Sequence, residues 1–419
     1  MPVIAGLAAI WLILPSRSAA QDSIAVVDRG MPPPRIWSVV EFPFKLLQAP
    51  LAIVGGVAGW FAERAERGRW VSKAQQVQGS VAKRGLRPSV GGQGPNSGLG
   101  PTATLGWWPR GQRGRFALLQ GGVTQRGYWL GQLRAGVSGL DATVRVEERS
   151  RDVFFGIGNA TSRADWSDYR LHRVSAVVRG TAQPTARLRL LGTVEWSRSS
   201  TSAGSDPSHP DVDSTFSTGA LPGFGITLQA IAVAAGFDYR AGAPHAIERH
   251  GNWIAAQYRW SDSRTSGVAD FRVWRAGAGV ELPFDHRRRS VVLAASLESL
   301  RPTSPGVVPF YLLPALGGAR SLPSFRSERF RDRDALVGTF EYRYRVWSDP
   351  EDARWIDAVL FTNAGVVAPR VFTALPDARV HQSTGVAIAL LSRGAAVGRI
   401  AVSKGSDGVG ITVVMGSGF

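Results

Sequence analysis

The segment Ala186–Trp196, ARLRLLGTVEW, changes side-chain character at almost every residue. Leu188, Leu190, Val194 and Trp196 fall on one face of an extended chain, and Arg187, Arg189, Thr193 and Glu195 fall on the other. The same period of two runs through HRVSAVVRG, where Val174, Ala176 and Val178 oppose Arg173, Ser175 and Arg179. It recurs in TFEYRYRVW, where Phe340, Tyr342, Tyr344 and Val346 oppose Glu341, Arg343 and Arg345. Such a strand needs an apolar phase on one side and water on the other. A soluble sandwich meets that need, and so does a membrane barrel with lipid outside and a wet lumen inside. Alternation that continues to the last residue of a 419-residue chain favours the barrel.

Sixteen segments carry the pattern, at 84–91, 97–107, 115–125, 128–138, 140–150, 168–180, 184–196, 226–240, 252–262, 268–282, 289–300, 336–347, 355–368, 384–392, 396–404 and 409–419. An even count closes a bacterial outer-membrane barrel, whose periplasmic turns are short and whose external loops are long. If the first strand rises from the periplasm, the connections at 151–167, 197–225, 301–335 and 369–383 all fall outside. The opposite links, such as TAQP, DHRRR and SRGAA, are short, with AGAPHAIERHG the exception. The expected fold class is therefore all-β, a 16-stranded antiparallel transmembrane barrel of the bacterial outer membrane occupying 80–419, preceded by a short helical segment.

The first 79 residues read differently. VIAGLAAIWLIL (Val3 to Leu14) has the length of a signal-peptide apolar core and is too short to span a bilayer, and small residues at Ser18 and Ala20 suit cleavage before Gln21. No Lys or Arg precedes that run, so an anchoring helix stays as the other reading. Residues 21–79 hold a stiff MPPP spacer and one amphipathic helix from about Pro50 to Arg67, interrupted by Gly55, Gly56 and Gly59. It suits a lumen plug or a helix packed on the periplasmic rim.

Composition narrows function. Lys and Arg outnumber Asp and Glu by 49 to 32, and there are 14 Trp and 49 Gly but no Cys. Disulfides, thiolate metal sites and Cys nucleophiles are excluded. Nucleic-acid binding would gather the arginines on one face, whereas here they alternate with apolar residues throughout. No G-x-S-x-G, H-E-x-x-H or phosphate-cradling glycine loop is present, so no enzymatic activity and no cofactor are expected. HAIERH (His245 to His250) reads as a turn rather than a metal site. The last eleven residues, VGITVVMGSGF, place Val409, Ile411, Val413 and Met415 at alternate positions and end on Phe419, which looks like the terminal-strand signal read by barrel assembly machinery.

Two stretches resemble a known family. FFGIGNATSRADWSDYR (Phe154 to Arg170) is similar to the FFGxGN segment of the bacterial surface antigen superfamily, the barrels of BamA- and TamA-type assembly factors. LLPALGGARSLPSFRSERFRDRDALVGTFEYRYRVW resembles that superfamily's long sixth external loop and twelfth strand. The resemblance implies a sixth loop folded back into the lumen. It places the loop motif at Gly317, Gly318, Leu322, Pro323, Ser324, Phe325, Arg326, Arg329, Arg331 and Asp332, with Glu341 and Asp357 as partners for its arginines. An exposed charged loop is the other reading.

The chain departs from the family in two ways. The family's Val/Leu-Arg-Gly-Phe/Tyr tip is Leu322-Pro323-Ser324-Phe325 here, and the strand-thirteen Phe-x-Asp-x-Gly pattern is Phe361-Thr362-Asn363-Ala364-Gly365. Both halves of the family's ion pair are missing together, which avoids one uncompensated buried charge. Residues 21–79 also leave no room for a POTRA domain. Two functions are expected from this: a POTRA-less factor assisting outer-membrane protein insertion or translocation, or a small anion-tolerant pore or structural barrel occluded by its arginine loop. Expected partners are outer-membrane lipid and lipopolysaccharide, the assembly machinery during the chain's own insertion and client barrel proteins for the first reading, with no nucleic acid and a monomeric state.

Overall fold

A computed structural model describes residues 85–109, 114–241, 251–284, 288–348, 354–392 and 395–415. The expected signal segment, the helix near Pro50 to Arg67, the His245 to His250 cluster and Phe419 lie outside the described residues. Sixteen strands form one antiparallel sheet in which every strand pairs with its neighbours in the chain. They are β1 (Leu86–Gly91), β2 (Gly100–Trp107), β3 (Phe116–Val123), β4 (Trp129–Val137), β5 (Leu140–Phe154), β6 (Ser167–Ala182), β7 (Leu188–Ala203) and β8 (Leu228–Arg240). The second half comprises β9 (Trp253–Ser263), β10 (Phe271–Phe284), β11 (Arg289–Pro302), β12 (Asp334–Ser348), β13 (Arg354–Ala368), β14 (His381–Ser392), β15 (Ala395–Gly405) and β16 (Gly408–Met415).

The two faces of the sheet are the reverse of a soluble protein's. Leu119, Val194 and Trp274 are each more than half exposed, while Glu195, Asp238 and Glu341 on the opposite face are 5–8% exposed. Leaving an apolar band in contact with the surroundings while enclosing carboxylates stabilises a chain only where those surroundings are lipid. This removes the sandwich alternative. No helix among the described residues is long and apolar enough to cross a membrane.

Register keeps the charges together. Antiparallel pairing sets Val178 opposite Val194 on the lipid side, and places the guanidiniums around carboxylates on the lumen side. Glu195 accepts from Arg173 and, at 2.7 Å, from Arg259. Glu341 accepts from Arg343 at 2.6 Å and from Arg399 at 2.8 Å, and Asp238 takes Arg189 at 3.2 Å and Arg240 at 2.7 Å. A carboxylate shared between two arginines keeps both charges compensated away from bulk water.

Eight connections emerge at the expected external end: L1 (92–99), L2 (124–128), L3 (155–166), L4 (204–227), L5 (264–270), L6 (303–333), L7 (369–380) and L8 (406–407). L4 holds a one-turn helix, α1 (Val212–Thr215), and L7 another, α2 (Val371–Ala374). Phe154, Tyr169, Leu171, Val212, Leu221 and Phe310 bury one another, with Phe216, Phe224 and Tyr311 packed around them. This cluster joins L4 and L6 to the upper ends of β5 and β6. Strand heights differ: β5, β6 and β7 run 15–16 residues, whereas β2, β3 and β4 run 8–9.

Candidate functional site at the strand edges

L6 doubles back on itself. Ala315–Leu316 pairs with Phe330–Arg331 in a two-residue ladder, and the turn into it needs Gly317 at φ +122°, where a Cβ would lie 2.0 Å from Arg326 O. Only glycine meets both demands. Gly318 follows at φ +81°, and its N–H donates to Phe325 O at 3.0 Å. Behind the ladder, Leu316, Leu322, Phe325 and Phe330 pack with Ala335, Val337 and Val367, so the stem of the loop has its own apolar core against β12 and β13.

The tip, Leu322-Pro323-Ser324-Phe325, rests on the inward face of β13 to β16. Asn363 Nδ2 donates to Ser321 O at 2.5 Å, and Ser324 N donates to Ser383 Oγ at 2.9 Å. Glycines make the seat. A Cβ at Gly410 would stand 2.4 Å from Pro323 O, and one at Gly405 would stand 2.2 Å from Ser324 Oγ. Gly365 faces Leu316 and Leu322, and Phe361 is buried on the same inward face beneath Arg399. The tip is thus held to β13 by a neutral amide-to-carbonyl bond, which leaves no charge to compensate.

Four arginines of L6, Arg326, Arg329, Arg331 and Arg333, have separate fates. Arg329, 2% exposed, donates from Nε to Asp407 Oδ2 at 2.7 Å, from Nη1 to Thr161 Oγ1 at 2.7 Å and from Nη2 to Thr161 O at 2.8 Å. The rings of Phe155 and Phe330 lie 4.6 Å from its guanidinium carbon. Arg331, also 2% exposed, donates to Glu328 and to Phe310 O, and its own carbonyl accepts from Gly158 N at 2.8 Å. Arg326 is exposed and stacks on Trp166 with its guanidinium carbon 3.6 Å from the ring centre. Arg333 is exposed, and Asp332 accepts from the Arg333 N–H at 2.7 Å.

The partners expected for these arginines are therefore different ones. Glu341 pairs with Arg343 and Arg399, and Asp357 lies 3.9 Å from Arg345, all on strands. A strand carboxylate already has a guanidinium two residues away on its own face, as Glu341 has Arg343. L6 instead finds Asp407 in L8 and Glu328 within itself.

L3, the FFGIGN segment, completes the assembly. Asn159 Oδ1 accepts from Val367 N, its amide donates to Arg379 O at 2.6 Å, and its carbonyl accepts from His381 Nε2 at 2.8 Å. Arg163 Nη1 donates to Asp407 O at 2.6 Å. Thr161, Asn159, Arg163, Trp166 and Asp407 were not singled out from sequence. Only the FFGIGN resemblance pointed toward the first four.

L6 also reaches the opposite end of the sheet. Asn96 Nδ2, in L1, donates to Ser327 O at 3.2 Å, and Asn96 O accepts from Arg126 of L2 at 2.9 Å. Asn96 and Glu328 are the two non-glycine residues with positive φ among those described, at +57° and +61°, and both sit at this contact. The sheet order begins at β1 and ends at β16, with no ladder between them among the described residues. L6 therefore touches the loop after the first strand and the turn before the last. Along β16 runs a cleft of about 450 Å³ lined by Arg163, Trp166, Arg326, Asp407, Ile411 and Val413 among others. Ile411 and Val413 face outward, 71% and 42% exposed; Met415 is the last described residue.

No protein-family model and no curated protein matches the chain. Among solved structures it is similar to BamA from Haemophilus ducreyi lacking POTRA domains 1–3, at 12% identity and a TM-score of 0.56, over 78% of this chain and 68% of that one. CdiB from Escherichia coli matches at 12% identity and a TM-score of 0.49, over 78% of this chain and 61% of that one, less than two thirds of its length. The first of these shows the fold, a BamA-like barrel.

Proposed function

We propose that this chain is an outer-membrane barrel of the surface antigen type that assists the insertion of client strands at the gap between β1 and β16. The observation that carries the reading is the pair of sheet edges without a ladder between them among the described residues, spanned externally by L6. An edge strand presents a row of backbone donors and acceptors, which is what an incoming strand needs. Pro88 in β1 lacks an amide donor, which weakens any closure of that strand. The short β2–β4 wall supports the reading: strands of 8–9 residues fall below the length that spans a bilayer comfortably, so lipid beside them thins and resists insertion less.

The absence of cysteine makes the test direct. Val90→Cys on β1 and Ile411→Cys on β16, bridged by a reducible bismaleimide, should stop the protein from accelerating insertion of an unfolded barrel into liposomes. Reduction should restore it. Bridged protein that works as well as unbridged protein would refute a lateral route. It would leave the occluded barrel, which the packed L3, L4 and L6 cap and the paired lumen charges favour. That reading expects ion current to rise on deleting Ser321 to Asp334.

A further inference from the structure

Three arginines at the external rim have no carboxylate partner among the described residues. Arg126 (L2) donates to a carbonyl, Arg163 (L3) donates to a carbonyl, and Arg326 (L6) stacks on Trp166. In the lumen Glu195, Asp238 and Glu341 are each shared between two arginines, so the isolation of the three rim arginines is not for want of pairing elsewhere in the fold. Arg326 feels the other two, with the Asp206 carboxylate as a smaller opposing influence. Partial burial, followed by the like charges of Arg126 and Arg163, pulls the Arg326 guanidinium down to about 10. A guanidinium held beside like charges gains stability when an anion enters between them.

Beneath the cluster the surface changes character. The cleft bounded by Arg163, Trp166 and Arg326 continues onto Val409, Ile411 and Val413, whose outward side chains are 69%, 71% and 42% exposed. Cationic groups and an indole at the rim, directly above a lipid-facing apolar strip, match one kind of molecule: an amphiphile with an anionic head and acyl chains. A soluble anion would use the upper half alone.

We infer that the rim above β16, formed by Arg126, Arg163, Arg326 and Trp166, is a binding site for the phosphorylated headgroup of an outer-leaflet lipid whose chains lie along Val409, Ile411 and Val413. The fork of each guanidinium suits bidentate phosphate contact, and no single arginine has to leave a buried pair to make it. The site lies where L1, L2, L3, L6 and L8 converge, so its occupant would hold L6 to both ends of the sheet. It does not depend on the client-insertion reading.

The test uses full-length protein in detergent, titrated with purified lipid A and followed by native mass spectrometry. Removal of Arg126 and Arg326 together (R126A/R326A) should weaken lipid A binding by about tenfold per arginine, whereas R272A on the exposed face of β10 should leave it unchanged. Arg326→Lys should retain part of the affinity, and R326E should abolish it. Dephosphorylated lipid A should bind no better to wild type than to R126A/R326A. Heat-shifted gel mobility establishes that each variant folds. Equal binding by wild type and R126A/R326A would overturn the site. Displacement of lipid A by an equimolar amount of inorganic phosphate would overturn the lipid as its occupant.

Discussion

Truncating Arg329 should release L6 without unfolding the barrel. The side chain is 3% exposed and its partner Asp407 is 18% exposed, so the pair is largely shielded and little of its energy is lost to solvent screening. Arg329→Ala removes the ion pair, strands Thr161 O and takes a cation from between two phenyl rings. Breaking a buried pair by removing one member costs about 3–5 kcal/mol; allowing for the partial exposure of Asp407, about 3 kcal/mol is expected here. At 1.36 kcal/mol per decade that raises the open fraction of the loop by about 150-fold. Hydrogen exchange on liposome-embedded protein reads this locally. Amides of 314–332 should exchange about two orders of magnitude faster, while those of β7 to β9 keep wild-type rates. Asp407→Asn added to Arg329→Ala should cost little more, because the shared interaction is already gone. Acceleration below threefold, or acceleration spread evenly over the barrel, would show that Arg329 does not hold the loop.

Other substitutions probe the remaining contacts. Gly410→Val should unseat the tip at Pro323 and Ser324, seen as new protease cleavage near residue 323 in a barrel that still shifts on heating. Phe330→Ala, in the stem core, should cost about 3–5 kcal/mol of L6 stability, measured by the same exchange experiment. Glu195→Gln should leave Arg173 and Arg259 facing each other and lower the urea midpoint in liposomes by an amount equivalent to about 2–4 kcal/mol. In L4, burial pushes the Asp206 carboxyl up, but the Ser208 N–H and the nearby His209 outweigh it and hold it below the ordinary range. A depressed value means its contribution is present above about pH 4 and fades as the pH falls through the folded value. Protection of the 205–211 amides, corrected for the intrinsic pH dependence of exchange, should therefore weaken as the pH falls below about 4, and D206N should remove that dependence.

Most strands were legible because a barrel strand must alternate, and a one-residue error would turn every side chain to the wrong phase. The upper reach of β7 was not. Residues 197–203, SRSSTSA, carry no large apolar side chain, yet Ser197, Ser199 and Thr201 are buried beneath the loops, so the strand continues where hydropathy has fallen silent. The site was half legible. A loop rich in arginine, with Gly317 and Gly318 to turn it, announced itself. Its partners did not, because Arg329 meets Thr161 and Asp407 at separations of 168 and 78 residues, and alternation says nothing about which loop lies over which.

The bond from Asn96 to Ser327 joins residues 231 apart, and the tip's seats at Gly405 and Gly410 belong to β15 and β16. Contacts of such separation form last, after the intervening strands have been ordered. Until β15 and β16 are in place, L6 has nothing to sit on, and Leu322, Phe325 and Phe330 stay accessible to proteases and chaperones. A seated L6 is therefore a report that β15 and β16 have taken their places in the sheet. A sheet lacking that last hairpin would leave the apolar tip uncovered, so the residues that lock the finished sheet are also the ones that would mark an unfinished one.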